Sequence, residues 1–280
     1  MFREKISMIN GFSTRIEKEP IPGSPTGSKR FFTLVIFLIY LLGVIVYSSI
    51  RYTFPSASHL PGNMLTMVFA LVLLWLGIGG LRNLHIPLGS IGVNSRKALE
   101  AAGIILLIWS AFALLIFVTG NFQLAGLLQQ LKTPLAGMIT NWLFVGPAEE
   151  ILFRGYILNW LRSRLATFGK VKGICLAVFI TSLLFATTHI PKDVFQIAQG
   201  QMPAAEFINS MIVKFILGTL LAYVYLRTKN ILLAAMVHGG NNAPLLGEQG
   251  DLIIHLLAVL LIEVVHFVHQ RFHMQKSVRI

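Results

Sequence analysis

Pro147-Ala148-Glu149-Glu150-Ile151-Leu152-Phe153-Arg154 lies inside an otherwise apolar segment running from about Leu135 to Leu161, long enough to cross a bilayer. Three ionisable groups within six residues are expensive at membrane depth, about 2.5–3.5 kcal/mol each at a helix centre. Their spacing shows how that cost is reduced. Glu150 and Arg154 are four residues apart, share a helix face and can neutralise each other. Glu149 points roughly 100° away around the helix and has no partner on its own segment. Another segment must supply one, and the candidates are those carrying His189 and His238.

With 280 residues, 55% of them apolar and only 12% charged, the chain is not a soluble domain. Repeated apolar runs of eighteen or more residues indicate an all-α protein, a multi-pass transmembrane helical bundle of about eight spans. The expected spans are Phe31 to Ile50, Leu60 to Leu81, Ala98 to Thr119, Leu135 to Leu161, Gly173 to Ile190, Phe207 to Leu226, Ile231 to Leu246 and Leu252 to Phe272. A polar tail (1–30) precedes the N-terminal membrane helices (31–133). The segment with the intramembrane polar groups follows (134–246), then a last membrane helix and tail (247–280).

The net charge of +12 sits in short tracts between apolar spans, a pattern of orientation signals and anionic-lipid contact that gives no nucleic-acid face. Eighteen of the 23 Lys and Arg residues fall on the side of both termini; Arg51, Lys132 and Lys192 fall on the other, and Arg154 and Lys214 lie within spans. That asymmetry predicts a cell-membrane protein with both termini in the cytoplasm. Cys175 is the only cysteine, which excludes intramolecular disulfides and cysteine-cluster metal sites. Lys214 reads as a lysine snorkelling to the outer interface, and Glu263 as a partner for a histidine on the last helix, among His255, His266, His269 and His273.

His189 closes the fifth span in Phe185-Ala186-Thr187-Thr188-His189, and His238 lies in the seventh, followed by Gly239-Gly240-Asn241-Asn242. Counted from the basic loops, Glu149 is about 20 Å deep, His189 about 25 Å and His238 about 15 Å, at 1.5 Å per residue. The three groups can therefore meet near mid-membrane. One carboxylate and two imidazoles form a plausible zinc site with open positions, or a metal-free site that activates water. Asn242 is one turn from His238, placed to donate to a developing oxyanion; Asn241 is the less favoured substitute. The glycine pair allows close approach of backbone or substrate.

In order and spacing, these motifs resemble those of the CPBP intramembrane proteases, which include the type II CAAX prenyl endopeptidases and the bacterial Abi proteins. The family's motifs are Glu-Glu-x-x-x-Arg, Phe-x-x-x-His and His-x-x-x-Asn on successive membrane helices. They are matched by Glu149-Glu150 with Arg154, Phe185 with His189, and His238 with Asn242. Phe153-Arg154-Gly155 and Tyr225-Leu226-Arg227-Thr228 are also similar to the family. The resemblance covers roughly residues 134 to 246 and implies a CAAX-protease-like catalytic core there. It implies peptide-bond hydrolysis, with catalytic roles for Glu149, His189, His238 and Asn242, on a peptide or membrane-protein substrate in the bilayer. Bound zinc on Glu149, His189 and His238, or a glutamate–histidine-activated water, both fit the resemblance. The helical register adds that Glu149 is the water-activating or metal-binding carboxylate, while Glu150 orients the helix through Arg154.

Other intramembrane protease chemistries lack their residues. No His-Glu-x-x-His occurs, Gly250-Asp251 lacks the preceding glycine of an aspartyl site, and Cys175 has no histidine at helical spacing. A peptide-binding scaffold or bacteriocin-immunity protein of the same fold is the alternative. It gives little reason to keep Glu149 in an apolar span.

Overall fold

The computed structural model describes residues 27–53, 62–118, 135–243, 255–265 and 267. Residues 1–26 of the predicted N-terminal tail, Lys132 and the histidines at 266, 269 and 273 lie outside them. Among the described residues the structure is helical, without strands. Its elements are α1 (Gly27–Thr53), α2 (Gly62–Asn83), α3 (Ser95–Val118), α4 (135–165), α5 (Lys170–Thr187), α6 (Ile190–Ala198), α7 (Glu206–Thr228), α8 (Ile231–Asn242) and α9 (His255–Val265). Each of the eight predicted spans corresponds to a helix, and α6 is an additional short helix starting beside Pro191.

Five stretches are long and apolar enough to cross a membrane: Phe31–Arg51, Met64–Asn83, Leu88–Leu114, Lys170–Ala198 and Glu206–Thr228. They bury only 28% to 39% of their most apolar windows, as helices with lipid-facing sides do. The chain is a multi-pass membrane protein. The fourth and seventh predicted spans differ from these in kind. Every residue of α4 from Ile151 to Asn159 is buried, and α8 is buried at Ile231, Leu233–Ala235 and Val237–Gly240. A helix covered on all sides is a core element. The protein's polar machinery sits on these two helices.

Helix α4 is continuous but not regular. Between its α-helical parts it widens into π-helix at Ile139–Val145 and again at Ile151–Ile157. Gly146 N donates to Asn141 O and Leu158 N to Phe153 O, each bond spanning five residues. Pro147 follows the first widened stretch. Proline has no N–H to give the carbonyl four residues back, and a π-bulge is one way a helix absorbs such a break. The two bulges bracket Gly146–Glu150, so the carboxylates sit on a short α-helical segment between two distorted ones.

Helix α8 is only 12 residues long, about 18 Å at 1.5 Å per residue. Asn230 caps its start, accepting from Leu233 N at 3.1 Å, and its Nδ2 donates to Lys97 O at 2.8 Å. Lys97 Nζ in turn donates to Thr228 O at 3.1 Å. The turn between α7 and α8 is thus tied to the start of α3, and α8 runs from that anchor into the protein, carrying His238.

One side-chain assignment from the sequence changes, and a second residue gains a partner on another helix. Lys214 does not snorkel: its ammonium donates to both oxygens of buried Asp193, at 2.8 and 2.6 Å, and to Ser210 Oγ at 2.7 Å. The reason is α6, which follows directly after His189 and carries Asp193 against α7. Glu263 pairs with Arg227, at 2.7 and 3.0 Å, and with the Tyr223 hydroxyl. It fastens α9 to α7.

Candidate active site

Helices α4 and α8 cross at glycines. A Cβ on Gly239 would lie 2.8 Å from both Asn141 O and Trp142 Cα, and one on Gly146 would lie 2.5 Å from Ala235 O. Backbone this close leaves no room for a side chain. The contact brings Glu149 and Glu150 on α4 opposite His238 on α8. Gly240 is different: its nearest neighbour is the Trp109 ring at 3.3 Å, a side chain able to shift. Gly239→Ala is therefore expected to push the two helices apart and cost about 1–3 kcal/mol, the usual range for overpacking, with a matching loss of activity. Gly240→Ala should be close to wild type. Thermal melting of both purified variants in detergent measures the difference.

Arg154 and Glu150 are fully buried, with Nη1 to Oε1 at 2.8 Å. Arg154 does more than pair: Nη2 donates to Gly218 O on α7 at 2.9 Å. The guanidinium also lies over the Phe185 ring at 4.6 Å, a favourable cation–π arrangement in a desolvated site. Glu150 also has a second partner. Its Oε1 lies 2.9 Å from His238 Nδ1. A carboxylate can only accept, so Nδ1 carries the proton and Nε2 presents its lone pair. Arg154, Glu150 and His238 form one chain across two helices. Sequence spacing showed only the first link, because the second crosses from α4 to α8.

Glu149 is placed differently. Its Oε2 is 3.7 Å from His238 Nε2, beyond hydrogen-bonding distance, and is buried without a hydrogen-bond partner among the described residues. The Glu149 carboxylate and the Nε2 lone pair are two acceptors facing one another, a gap that a donor with two protons fits.

His189 sits in the turn between α5 and α6, half-buried. Its Nδ1 is 2.9 Å from Phe185 O and 3.4 Å from Thr188 Oγ1. The Phe185 ring lies against both histidines, with centroid separations of 5.0 Å to His189 and 5.6 Å to His238. Phe185 is the hub on which Arg154, both histidines and Phe153 meet. Its position in the sequence motif gave no hint of this. Asn242 ends α8 with an exposed side chain, while Asn241 turns inward and keeps its Oδ1 buried without a hydrogen-bond partner among the described residues.

Sequence reasoning also missed Tyr40. It is buried on α1, with its ring edge-on to Phe153 at 5.5 Å. The available signal was a phenol near the middle of the apolar run from Phe31 to Ile50, since a buried tyrosine hydroxyl usually finds a partner. Tyr40 also lines a cavity of about 620 Å³ between α1, α4 and α5, whose wall includes Tyr156, Trp160 and Arg164.

Among the described residues no three His, Cys, Asp or Glu side chains gather into a group able to hold an ion. Glu149 and His238 come together, with His238 Nδ1 bonded to Glu150 and Nε2 left free, while His189 is not gathered with them into a group of three among the described residues.

No curated protein and no solved structure matches the chain. Residues 131–244, the segment holding Glu149, Glu150, Arg154, Phe185, His189, His238 and Asn242, match the family described as Type II CAAX prenyl endopeptidase Rce1-like, so this part of the chain is similar to that family.

Proposed function

We propose that the protein is an intramembrane endopeptidase that hydrolyses a peptide bond of a membrane-associated peptide or protein, with Glu149 as the base that activates water. One observation carries this reading: the buried, unpartnered Glu149 Oε2 at 3.7 Å from His238 Nε2. A water donating one proton to each acceptor turns its own lone pairs toward a substrate carbonyl. Attack forms the carbon–oxygen bond as Glu149 takes the water's proton. Collapse of the tetrahedral adduct breaks the carbon–nitrogen bond, and Glu149 returns that proton to the leaving amine.

The remaining groups support that step. Glu150, held by Arg154, fixes the His238 ring so that Nε2 faces the water. His189, which also lies against the Phe185 ring, supplies a second imidazole acceptor. The Asn242 carboxamide, at the open end of α8, is the donor for the oxyanion. The peptide or membrane-protein substrate reaches these groups within the bilayer. The protein sits in the cell membrane with both termini cytoplasmic, consistent with the distribution of its basic residues.

The test is a comparison of membrane-derived peptides from cells expressing wild type or Glu149→Gln, followed by cleavage of the identified substrate with purified protein. Products unique to wild type are the expected result; identical peptide pools overturn the reading. Because the side chains do not form a three-ligand group, turnover is expected to survive extended phenanthroline treatment. Loss of turnover with the chelator, restored by added zinc, would instead identify zinc on Glu149, His189 and His238 as the activating group.

A further inference from the structure

We propose that Asp193 and Lys214 are positioning residues of the active site: their ion pair fastens α6 to α7 and so holds His189 in place. The effect on turnover rests on the protease reading, while the structural claim stands on the hydrogen bonds alone.

His189 follows the end of α5 and caps the start of α6. Helix ends fray, so a histidine there keeps one position only if the chain beyond it is held. The bond between its Nδ1 and the Phe185 carbonyl orients the ring against α5, but it does not hold the turn. That task falls to α6, whose first hydrogen bond runs from Asp193 N to His189 O at 3.1 Å. With nine residues, α6 is too short to be stable by itself. It packs against α1, yet Asp193 is its one buried residue. The Asp193 carboxylate is held from α7. Lys214 Nζ donates to both oxygens, at 2.8 and 2.6 Å, and Ser210 Oγ donates at 3.0 Å. Ser210 Oγ also accepts from Lys214 Nζ at 2.7 Å, which closes the triangle.

A buried ion pair is weak evidence for stability, because apolar replacements often fold as well, and charge within a span is costly. What this pair supplies is register, since its hydrogen bonds fix one carboxylate of α6 on one turn of α7. Gly218 lies one turn further along the same face of α7, and its carbonyl holds Arg154 at 2.9 Å. Helix α7 therefore supports both imidazoles, His189 through Lys214 and Asp193, and His238 through Arg154 and Glu150.

The experiment is nitrogen NMR of histidine-labelled full-length protein in lipid nanodiscs, with the His189 signals identified by their absence in His189→Gln. Wild type is expected to give one set of His189 ring signals. Lys214→Met should give several sets or broadened ones. Lys214→Met combined with Asp193→Ala should do the same, although it leaves no unpaired charge and should melt close to wild type. Lys214→Arg keeps a cation for the carboxylate and should return most of the wild-type spectrum. Glu263→Gln is the control: it breaks another ion pair of α7, with Arg227, and should leave the His189 signals unchanged. In turnover assays the folded double variant should lower kcat about 10²-fold, the scale of a group displaced by about 1 Å, with KM unchanged. A wild-type His189 spectrum or wild-type kcat in the folded double variant overturns the proposal. So does a loss of kcat no greater than the loss of folded protein. If wild type and Glu149→Gln show no difference in turnover, the protease reading fails, and the spectra still decide what Asp193 and Lys214 hold.

Discussion

Arg154→Ala is expected to remove most of the folded protein, and its loss of activity should follow that loss of fold. The guanidinium is fully buried and serves three neighbours at once: Glu150, the Gly218 carbonyl and the Phe185 ring. Truncating it leaves a buried carboxylate without its cation, which costs about 3–5 kcal/mol. A marginally stable protein of about 5–15 kcal/mol cannot lose that much without a large fall in yield. Arg154→Lys should recover only part, since a single ammonium lacks the planar fork that reaches Glu150 and Gly218 from one side chain. Neutralising both partners, as in Glu150→Gln with Arg154→Met, should restore more yield than Arg154→Ala gives. Recovery stays partial because the Gly218 carbonyl still loses its donor and His238 loses a carboxylate acceptor. Size-exclusion profiles and melting temperatures of the detergent-solubilised variants measure this series. Wild-type yield and melting for Arg154→Ala would show that the pair does not hold the core.

Glu149→Gln is expected to do the reverse, abolishing turnover while leaving the fold intact or slightly more stable. The substitution is nearly isosteric and removes a charge from an oxygen that has no hydrogen-bond partner among the described residues. The amide cannot accept the water's proton. Loss of a positioned general base costs about 10²–10⁴ in rate, and because the same carboxylate returns the proton to the leaving amine, the upper part of that range is expected. Glu150→Gln separates the two carboxylates. It should lower stability first, because Arg154 then lacks its counter-charge. Normal kcat in Glu149→Gln, together with lost kcat in Glu150→Gln, would exchange the two assignments.

Much of this molecule was legible in one dimension because membrane energetics are local. A run of apolar residues is a span whatever surrounds it, and charge inside one is costly enough to mark a site. That made Glu149, Glu150 and Arg154 visible, and helical spacing alone paired Glu150 with Arg154 because both lie on one helix. The same spacing placed His238 and Asn242 one turn apart, and counting depth placed the histidines near the carboxylates.

What required the tertiary structure were the relations between helices. Glu150 reaches His238 only because Gly146 and Gly239 let α4 and α8 touch at backbone distance, which no spacing within either helix encodes. Lys214 finds Asp193 because α6 folds back after Pro191; without that turn, a lysine in a span reads as snorkelling. Tyr40 lies more than a hundred residues before Phe153, and the packing of α1 against α4 joins them. The sequence by itself determined which residues a membrane would not tolerate unpaired. Tertiary packing decided their partners, because hydrogen bonds reach only about 3 Å and so depend on which helix faces meet.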